Sequence, residues 1–287
     1  MPSLRSAMRA FLEDWEQDVA PAWRDLLTGV RPAFEDIDSD LEVADDPIFP
    51  GRKGREPEGA PDGSHVFRAL DGIDPADVRA VVLGQDPYPR ISRATGRAFE
   101  QGDLPSWTEG RVAASLRRIL QLIVHLRTGN EGYRQSDGWR RLSTDLRRGE
   151  VELEDPRAMF DGWQGRGVLF LNTGLTLTRY EPGGHPHQLK GHIPLWAPVV
   201  GAICRRLAER PDIPVVFLSW GSKARQFLAS TGILESRNRP VRVSEDLEST
   251  DVVDRDHPAT ARFLRTPNLF TETNEKLVGL GSDPIEW

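Results

Sequence analysis

A chain of 287 residues with 38% hydrophobic and 28% charged side chains, among them 8 Trp and 11 Phe, can bury a full core of its own. That composition excludes a disordered chain, and no stretch approaches the ~20 apolar residues of a membrane span. The formal net charge of −7 is uneven: residues 1–62 hold 7 basic and 15 acidic side chains, the remainder 30 basic and 29 acidic, so a polyanionic partner is not excluded.

Leu4, Met8, Phe11, Leu12, Trp15, Val19, Trp23 and Leu26 recur every three or four residues and predict one helical face, broken or kinked at Pro21. Residues 46–63, rich in Pro, Gly and charge, read as a loop, followed by a short helix over Ser64 to Leu70. The apolar run Val78 to Leu83, closed by Gly84, predicts a buried strand ending at a sheet edge. Residues 109–127 predict an amphipathic helix with Val112, Leu116, Ile119, Leu120 and Ile123 on one face. A second buried strand spans Val168 to Leu171, and a helix spans Pro194 to Leu207. A third strand, Val215 to Leu218, runs into Trp220-Gly221-Ser222. Val241 to Val243 and Val252-Val253 are weaker strands. Short, continuously apolar strands alternating with helices predict a three-layer α/β/α sandwich around a central, mostly parallel four-stranded sheet. An acidic helical extension, residues 1–46, precedes a catalytic domain at 47–287.

Cys204 is the single cysteine, so a disulfide framework and a multi-cysteine zinc site are excluded. It lies on a predicted helix without a base partner and reads as core. With no apolar run after Met1 to Ala10 to mark a signal peptide, a soluble, cytoplasmic, monomeric protein is expected. His185, His187 and His192 have spacings that could serve a metal, but a Gly- and Pro-rich surface loop explains them better, and no metal or cofactor is expected. Arg117-Arg118 reads as a solvated helix face.

In an open parallel sheet, sites gather at the carboxyl ends of the strands. Here those exits read Gly84-Gln85-Asp86-Pro87-Tyr88-Pro89, Asn172-Thr173 and Trp220-Gly221-Ser222, with Asp256-His257-Pro258 after the weak fourth strand. A carboxylate, an amide, a phenol, a hydroxyl and an imidazole thus converge on one edge. Taken singly, Asp86 before a proline could merely start a turn, and Asn172 could merely cap a segment.

In this order, however, GQDPYP, the Gly96-to-Phe99 step, Leu171-Asn172-Thr173-Gly174-Leu175-Thr176, Trp220-Gly221-Ser222, His257-Pro258 and the tail Phe270-Thr271-Glu272-Thr273-Asn274…Pro284-Ile285-Glu286-Trp287 resemble the family 1 uracil-DNA glycosylases over roughly residues 47–287. The resemblance implies a DNA repair enzyme that flips deoxyuridine into a pocket and hydrolyses its glycosidic bond, leaving an abasic site. Asp86 and His257 would be catalytic: the first orients water and stabilises the cationic sugar, the second hydrogen-bonds uracil O2. Asn172 would read the base edge, Tyr88 would exclude the thymine methyl, Phe99 would stack on the base and Gln85 would line the pocket. Ser106, Ser222, Pro258, Ala261 and Arg262 would contact DNA. The partner implied is uracil-containing DNA, single- or double-stranded.

The chain departs from the family pattern at Pro89, where the motif ends in His, and at Arg97, which stands in an apolar position and is expected to alter the pocket wall or meet a phosphate. Charged Asp254-Arg255-Asp256 precedes His257, and an adjacent carboxylate is expected to favour imidazolium. The family's wedge leucine falls on Ala261, leaving Arg262 or Phe263 as substitutes. Two other readings stay open: the same chemistry on another base, or a DNA-binding or regulatory protein with little catalysis.

Overall fold

The computed structural model describes residues 1–265 and 267–287. Four strands, β1 (Ala80–Gly84), β2 (Val168–Asn172), β3 (Val215–Trp220) and β4 (Thr250–Arg255), form one sheet in the order β2-β1-β3-β4. Every neighbouring pair is parallel, so the sheet goes beyond the mostly parallel one expected. Both faces are covered, which explains why β1 to β3 are apolar at successive positions instead of alternating.

Side chains alternate between two cores. Val81, Leu83, Leu169, Leu171, Val215 and Phe217 face one layer. Ala80, Val82, Val168, Phe170, Val216 and Leu218 face the other. The first layer begins with α1 (Leu4–Phe11) and α2 (Pro21–Arg24). The second holds α3 (Ala114–Thr128), α4 (Gly138–Arg148) and α5 (Pro156–Gly165). Helices α6 (Ile193–Ala208) and α7 (Ser222–Ser230) return to the first, and α8 (Leu269–Gly279) to the second. This is the three-layer sandwich read from the sequence.

The N-terminal segment is helical only in pieces. Helix α1 ends at Phe11, Asp14 then adopts a left-handed conformation (φ 52°), and a tight turn over Trp15–Asp18 separates α1 from α2. The apolar spacing nevertheless works, because Leu4, Met8, Leu12, Trp15, Val19, Trp23 and Leu27 are all buried against the sheet. The carbonyls freed where α1 stops are taken by buried Arg52, whose Nη1 donates to Phe11 O (2.8 Å) and Glu13 O (2.7 Å) and whose Nη2 donates to Asp14 O (3.2 Å). Asp18 pairs with its Nε.

Other boundaries moved for local reasons. The helix expected over Ser64 to Leu70 is only a final turn, Arg68–Leu70. The one expected from residue 109 begins at Ala114, after Gly110 in a left-handed conformation (φ 78°). Val241 to Val243 is not a strand but contributes one isolated bridge, Leu234–Val243. Helix α4 went unread because it buries only Gly138 and Leu142, too narrow an apolar stripe to stand out. Cys204 is fully buried and its thiol is pushed up to about 12, an inert core residue.

Among the described residues, removing Arg52 would leave the Phe11 and Glu13 carbonyls without a donor and take the guanidinium from the Asp14 carbonyl and the Asp18 carboxylate, which keep only the Gln17 and Lys53 N–H groups. Arg52→Met is expected to cost about 3 kcal/mol, the scale for breaking a buried, hydrogen-bonded ion pair. Urea unfolding should then show a lower midpoint at unchanged m-value.

Candidate active site

The parallel register sets the site. Gly84 and Asn172 are directly paired at the carboxyl ends of β1 and β2, and their alternation places both on the second-layer face. A methyl group on Gly84 would collide with Asn172 Oδ1 and come within 2.9 Å of the Ala98 Cβ. Only glycine lets the Asn172 amide lie over β1. Asn172 is 1% exposed, and its Oδ1 has no partner among the described residues. An unpaired buried acceptor costs about 1–3 kcal/mol, so this is a position built for a ligand donor.

Around that amide lies a cavity of about 430 Å³, lined among others by Gly84, Gln85, Asp86, Tyr88, Phe99, Asn172, Gln188 and His257. Its size is that of a small-molecule site. The structure therefore brings together Gln85, Asp86, Tyr88, Phe99, Asn172 and His257. Phe99 is held at φ 63°, a conformation that costs a bulky residue energy and recurs at functional sites. Its ring lies 5.2 Å from Trp220 and 6.5 Å from His257, and the Tyr88 hydroxyl donates to its carbonyl (3.4 Å). Burial pushes the Tyr88 phenol well above its ordinary value, so it stays neutral.

Asp86 is largely desolvated, and its carboxyl is pushed up to about 6. The Gln188 and Gln85 side chains oppose that rise without cancelling it. Gln188 Nε2 donates to Asp86 Oδ2, while Asp86 Oδ1 is buried and has no partner among the described residues. Nothing in the residue pattern pointed to Gln188, which lies 102 residues from Asp86 and belongs to no motif read above.

His257 is exposed at the cavity mouth, yet its environment favours the neutral imidazole over the imidazolium expected from its charged neighbours. Loss of hydration lowers its pKa. The neighbouring carboxylates are already engaged: Asp254 by Arg225 (2.8 Å) and Arg239 (2.6 Å), Asp256 by Arg239 (3.6 Å). The Ala259 N–H donates to His257 Nδ1 (3.1 Å), which fixes the tautomer with its proton on Nε2. Gly221 (φ 99°) gives the ring room, since a Cβ there would lie 3.0 Å from that of His257. Arg118, expected to be solvated, anchors this loop by donating to Pro258 O (3.1 Å).

The remaining expected residues lie outside the cavity. Ser222 is exposed at the start of α7, beside a smaller hollow of about 310 Å³ that also reaches His257. Pro258 is buried, whereas Ala261 and Arg262 are exposed on a short turn. Ser106 Oγ accepts from the Glu109 N–H (3.1 Å) within its own loop. Phe263 is fully buried against Trp220 (5.1 Å) and is no wedge. Arg97 neither lines the cavity nor faces solvent: it is buried in an ion-pair cluster with Glu100 (3.3 Å) and Asp161 (2.6 Å). His187 and His192 are not on a surface loop but buried, and both are hydrogen-bonded to Thr178.

No family model matches the chain. It is, however, 31% identical over 231 residues to the uracil-DNA glycosylase of Streptococcus gordonii, covering 79% of this chain and 82% of that protein. It is 31% identical to the Bordetella pertussis uracil-DNA glycosylase over 77% of this chain and 71% of that one. Uracil-DNA glycosylase 2 of Streptomyces coelicolor aligns over 93% of both chains at 28% identity. Among solved structures, mimivirus uracil-DNA glycosylase superposes with TM-score 0.61 at 18% identity, covering 100% of this chain and 94% of that one. The wild-type UNG of Nitratifractor salsuginis superposes with TM-score 0.60 at 17% identity, covering 96% and 98%. The fold is thus that of known glycosylases, with a cavity lined by both polar and aromatic side chains at the edge of its sheet. The chain belongs to the uracil-DNA glycosylase family.

The desolvated carboxylate has a consequence for stability. With its pKa raised from 3.8 to about 6, Asp86 holds its proton more tightly in the folded than in the unfolded chain, so stability falls as pH rises through that window. Asp86→Asn removes the penalty. After allowance for solvent screening, it should be about 1–2 kcal/mol more stable than wild type near pH 7.5 and indistinguishable near pH 4, read by thermal unfolding.

Proposed function

We propose that this chain is a monofunctional DNA repair glycosylase that hydrolyses the N-glycosidic bond of deoxyuridine in DNA, releasing uracil and leaving an abasic site. The observation that carries this reading is the pairing, in one cavity, of an Asn172 amide oxygen with no partner among the described residues and a desolvated Asp86 carboxyl. Asn172 Oδ1 accepts from uracil N3–H and its amide nitrogen donates to O4. Cytosine reverses that pattern and leaves buried groups mispaired, a strong rejection. Tyr88 blocks the C5 side, where thymine carries a methyl, and Phe99 stacks on the base.

Asp86 acts as its carboxylate. It accepts a proton from water as the oxygen bonds to C1′, and its charge stabilises the oxocarbenium-like sugar. The electrons of the broken bond leave on uracil N1. The Nε2–H of neutral His257 donates to O2, where that negative charge spreads. A neutral imidazole suits this role, because the chain sets both its tautomer and its depressed pKa. Ser222, Ser106, Pro258 and Arg262 contact the DNA backbone and groove. Residues 1–46 serve as an extension of the catalytic domain at 47–287. We infer a monomer of the cytoplasm, and the buried, unpaired Cys204 fits a reducing compartment.

Asp86→Asn should bind uracil-containing oligonucleotide normally and lose at least about a hundredfold in turnover, measured by alkaline cleavage of labelled product. Wild-type turnover should fall as pH drops through about 6, where Asp86 takes up its proton. Asn172→Asp should gain some cytosine excision while losing uracil excision, and Tyr88→Ala should admit thymine. An unchanged base preference in both would refute the pocket assignment.

A strand preference follows from the His257 loop. Ala261 carries one methyl and Phe263 is buried, so little apolar bulk can fill the gap left by an extruded base. Extrusion from a duplex costs a few kcal/mol, and far less from a single strand or mismatch. Single-stranded and U:G substrates should be cleaved at least about tenfold faster than U:A duplexes, and Ala261→Leu should narrow that ratio. Equal wild-type rates on single-stranded and U:A substrates would contradict it.

A further inference from the structure

Gln188 opens a wide helical turn, Gln188–His192, that runs directly into α6, the kind of helical distortion that concentrates at functional sites. Its side chain is 2% exposed yet lines the cavity. A carboxylate can only accept hydrogen bonds, so the bond to Asp86 Oδ2 forces the amide nitrogen toward Asp86 and turns the amide oxygen elsewhere. That oxygen, Gln188 Oε1, is buried and has no partner among the described residues, and the same is true of Asp86 Oδ1. Two neighbouring side chains thus each hold one bonded and one unpaired atom, and both unpaired atoms are acceptors. A water molecule has two protons to donate and keeps its lone pairs for attack.

The turn is held rigidly. Trp196 Nε1 donates to Thr176 Oγ1 (2.7 Å), and the Thr176 hydroxyl is hydrogen-bonded to His192 Nδ1 (2.8 Å). His192 Nε2 is hydrogen-bonded to the Thr178 hydroxyl (3.1 Å), which also bonds His187 Nδ1 (2.9 Å). Burial holds the His192 pKa at about 3, so the ring joins this chain as neutral imidazole. Thr176 and Thr178 follow Asn172 along the chain, so the segment that carries the base-reading amide also fixes the turn that carries Gln188. On its outer side the turn rests on the N-terminal extension: Asp38 N donates to Lys190 O (2.9 Å), and Leu4 and Leu41 pack over Gly191.

We propose that Gln188 is a positioning residue for hydrolysis, holding the Asp86 carboxylate through its amide nitrogen and anchoring the attacking water, together with Asp86 Oδ1, through its amide oxygen. This rests on the reading of the site as a uracil-excising one. In the step itself, the water oxygen bonds to C1′ as the C1′–N1 bond breaks. One water proton passes to Asp86, and the other stays on the new hydroxyl, held by Gln188 Oε1 during attack. Gln188 exchanges no proton.

The test is steady-state and single-turnover excision from a single-stranded uracil oligonucleotide across pH 5 to 9 by wild type, Gln188→Leu and Gln188→Glu. Gln188→Leu should lower kcat about ten- to a hundredfold with KM within about twofold, the scale of a misplaced reactant. Its acid limb should move to higher pH, because the donor that favours the Asp86 carboxylate is gone. The other titratable groups lining the cavity, Tyr88, Glu181, Lys223 and His257, do not shift Asp86, so that movement reports on the Asp86–Gln188 pair. The kcat deficit should persist at pH 9, where Asp86 is ionised anyway, because the water still lacks its second anchor. Gln188→Glu keeps the shape and an acceptor but not the donor. Its acid limb should also move up, while its rate at pH 9 recovers above that of the Leu variant. Variants with kcat and acid limb within about twofold of an active wild type, or with losses only in KM, would overturn the assignment and leave the uracil reading intact. A wild type inert on uracil DNA would overturn that reading, and this assignment with it.

Discussion

Gly84 opposite Asn172 is the contact on which the rest of the site depends. The parallel register of β1 and β2 brings these two residues side by side, and the absence of a Cβ on one lets the amide of the other lie across the strand end. From there the chain leaving β1 carries Gln85, Asp86 and Tyr88 over the same cavity, and the chain leaving β2 carries Thr176 and Thr178 beneath it. A side chain at position 84 would move the amide, and every distance measured from it.

The same edge opposes stability and function. Asp86 is buried enough to lose much of its hydration, and among the described residues neutral amides, not cations, offset that loss. A cationic partner would make the carboxylate easier to form but would also blunt its interaction with a developing positive sugar. The unpaired acceptors on Asp86, Asn172 and Gln188 and the left-handed backbone of Phe99 belong to the same pattern of local cost. Two well-packed cores on either side of a fully covered sheet supply the stability that lets this edge persist.

The acidic N-terminal segment is part of that support. Its charges face solvent or pair locally, while Leu4, Leu41 and the backbone near Asp38 meet the turn that presents Gln188. Arg52 ties the end of α1 to the body of the domain. A region with net negative charge is thereby coupled to a site for a polyanion without lining the cavity itself.

Local pattern was enough for β1, β2 and β3, the longer helices α3 and α6, and the family motifs, but it could not separate the true edge strand at Val252-Val253 from the false one at Val241 to Val243. Continuous apolar runs ending in glycine or a polar residue mark a buried parallel strand whatever surrounds them, and GQDPY and LNTGLT carry their chemistry in consecutive residues. What the sequence could not yield were properties set by groups distant in the chain. The lowered pKa of His257 comes from the hydration it loses against the packed cavity wall, and its tautomer from the Ala259 N–H that claims Nδ1. Arg97 is neutralised inside the fold by Asp161, 64 residues away, and so never reaches the pocket or a phosphate. Gln188 became visible only when the fold set it against Asp86 and left its oxygen unpaired. Residue order determined the sheet and the motifs, because those follow from periodicity and local sterics. Protonation states, ion pairing and the second anchor at Asp86 were decided by tertiary structure, because desolvation and hydrogen bonding depend on neighbours that only packing supplies.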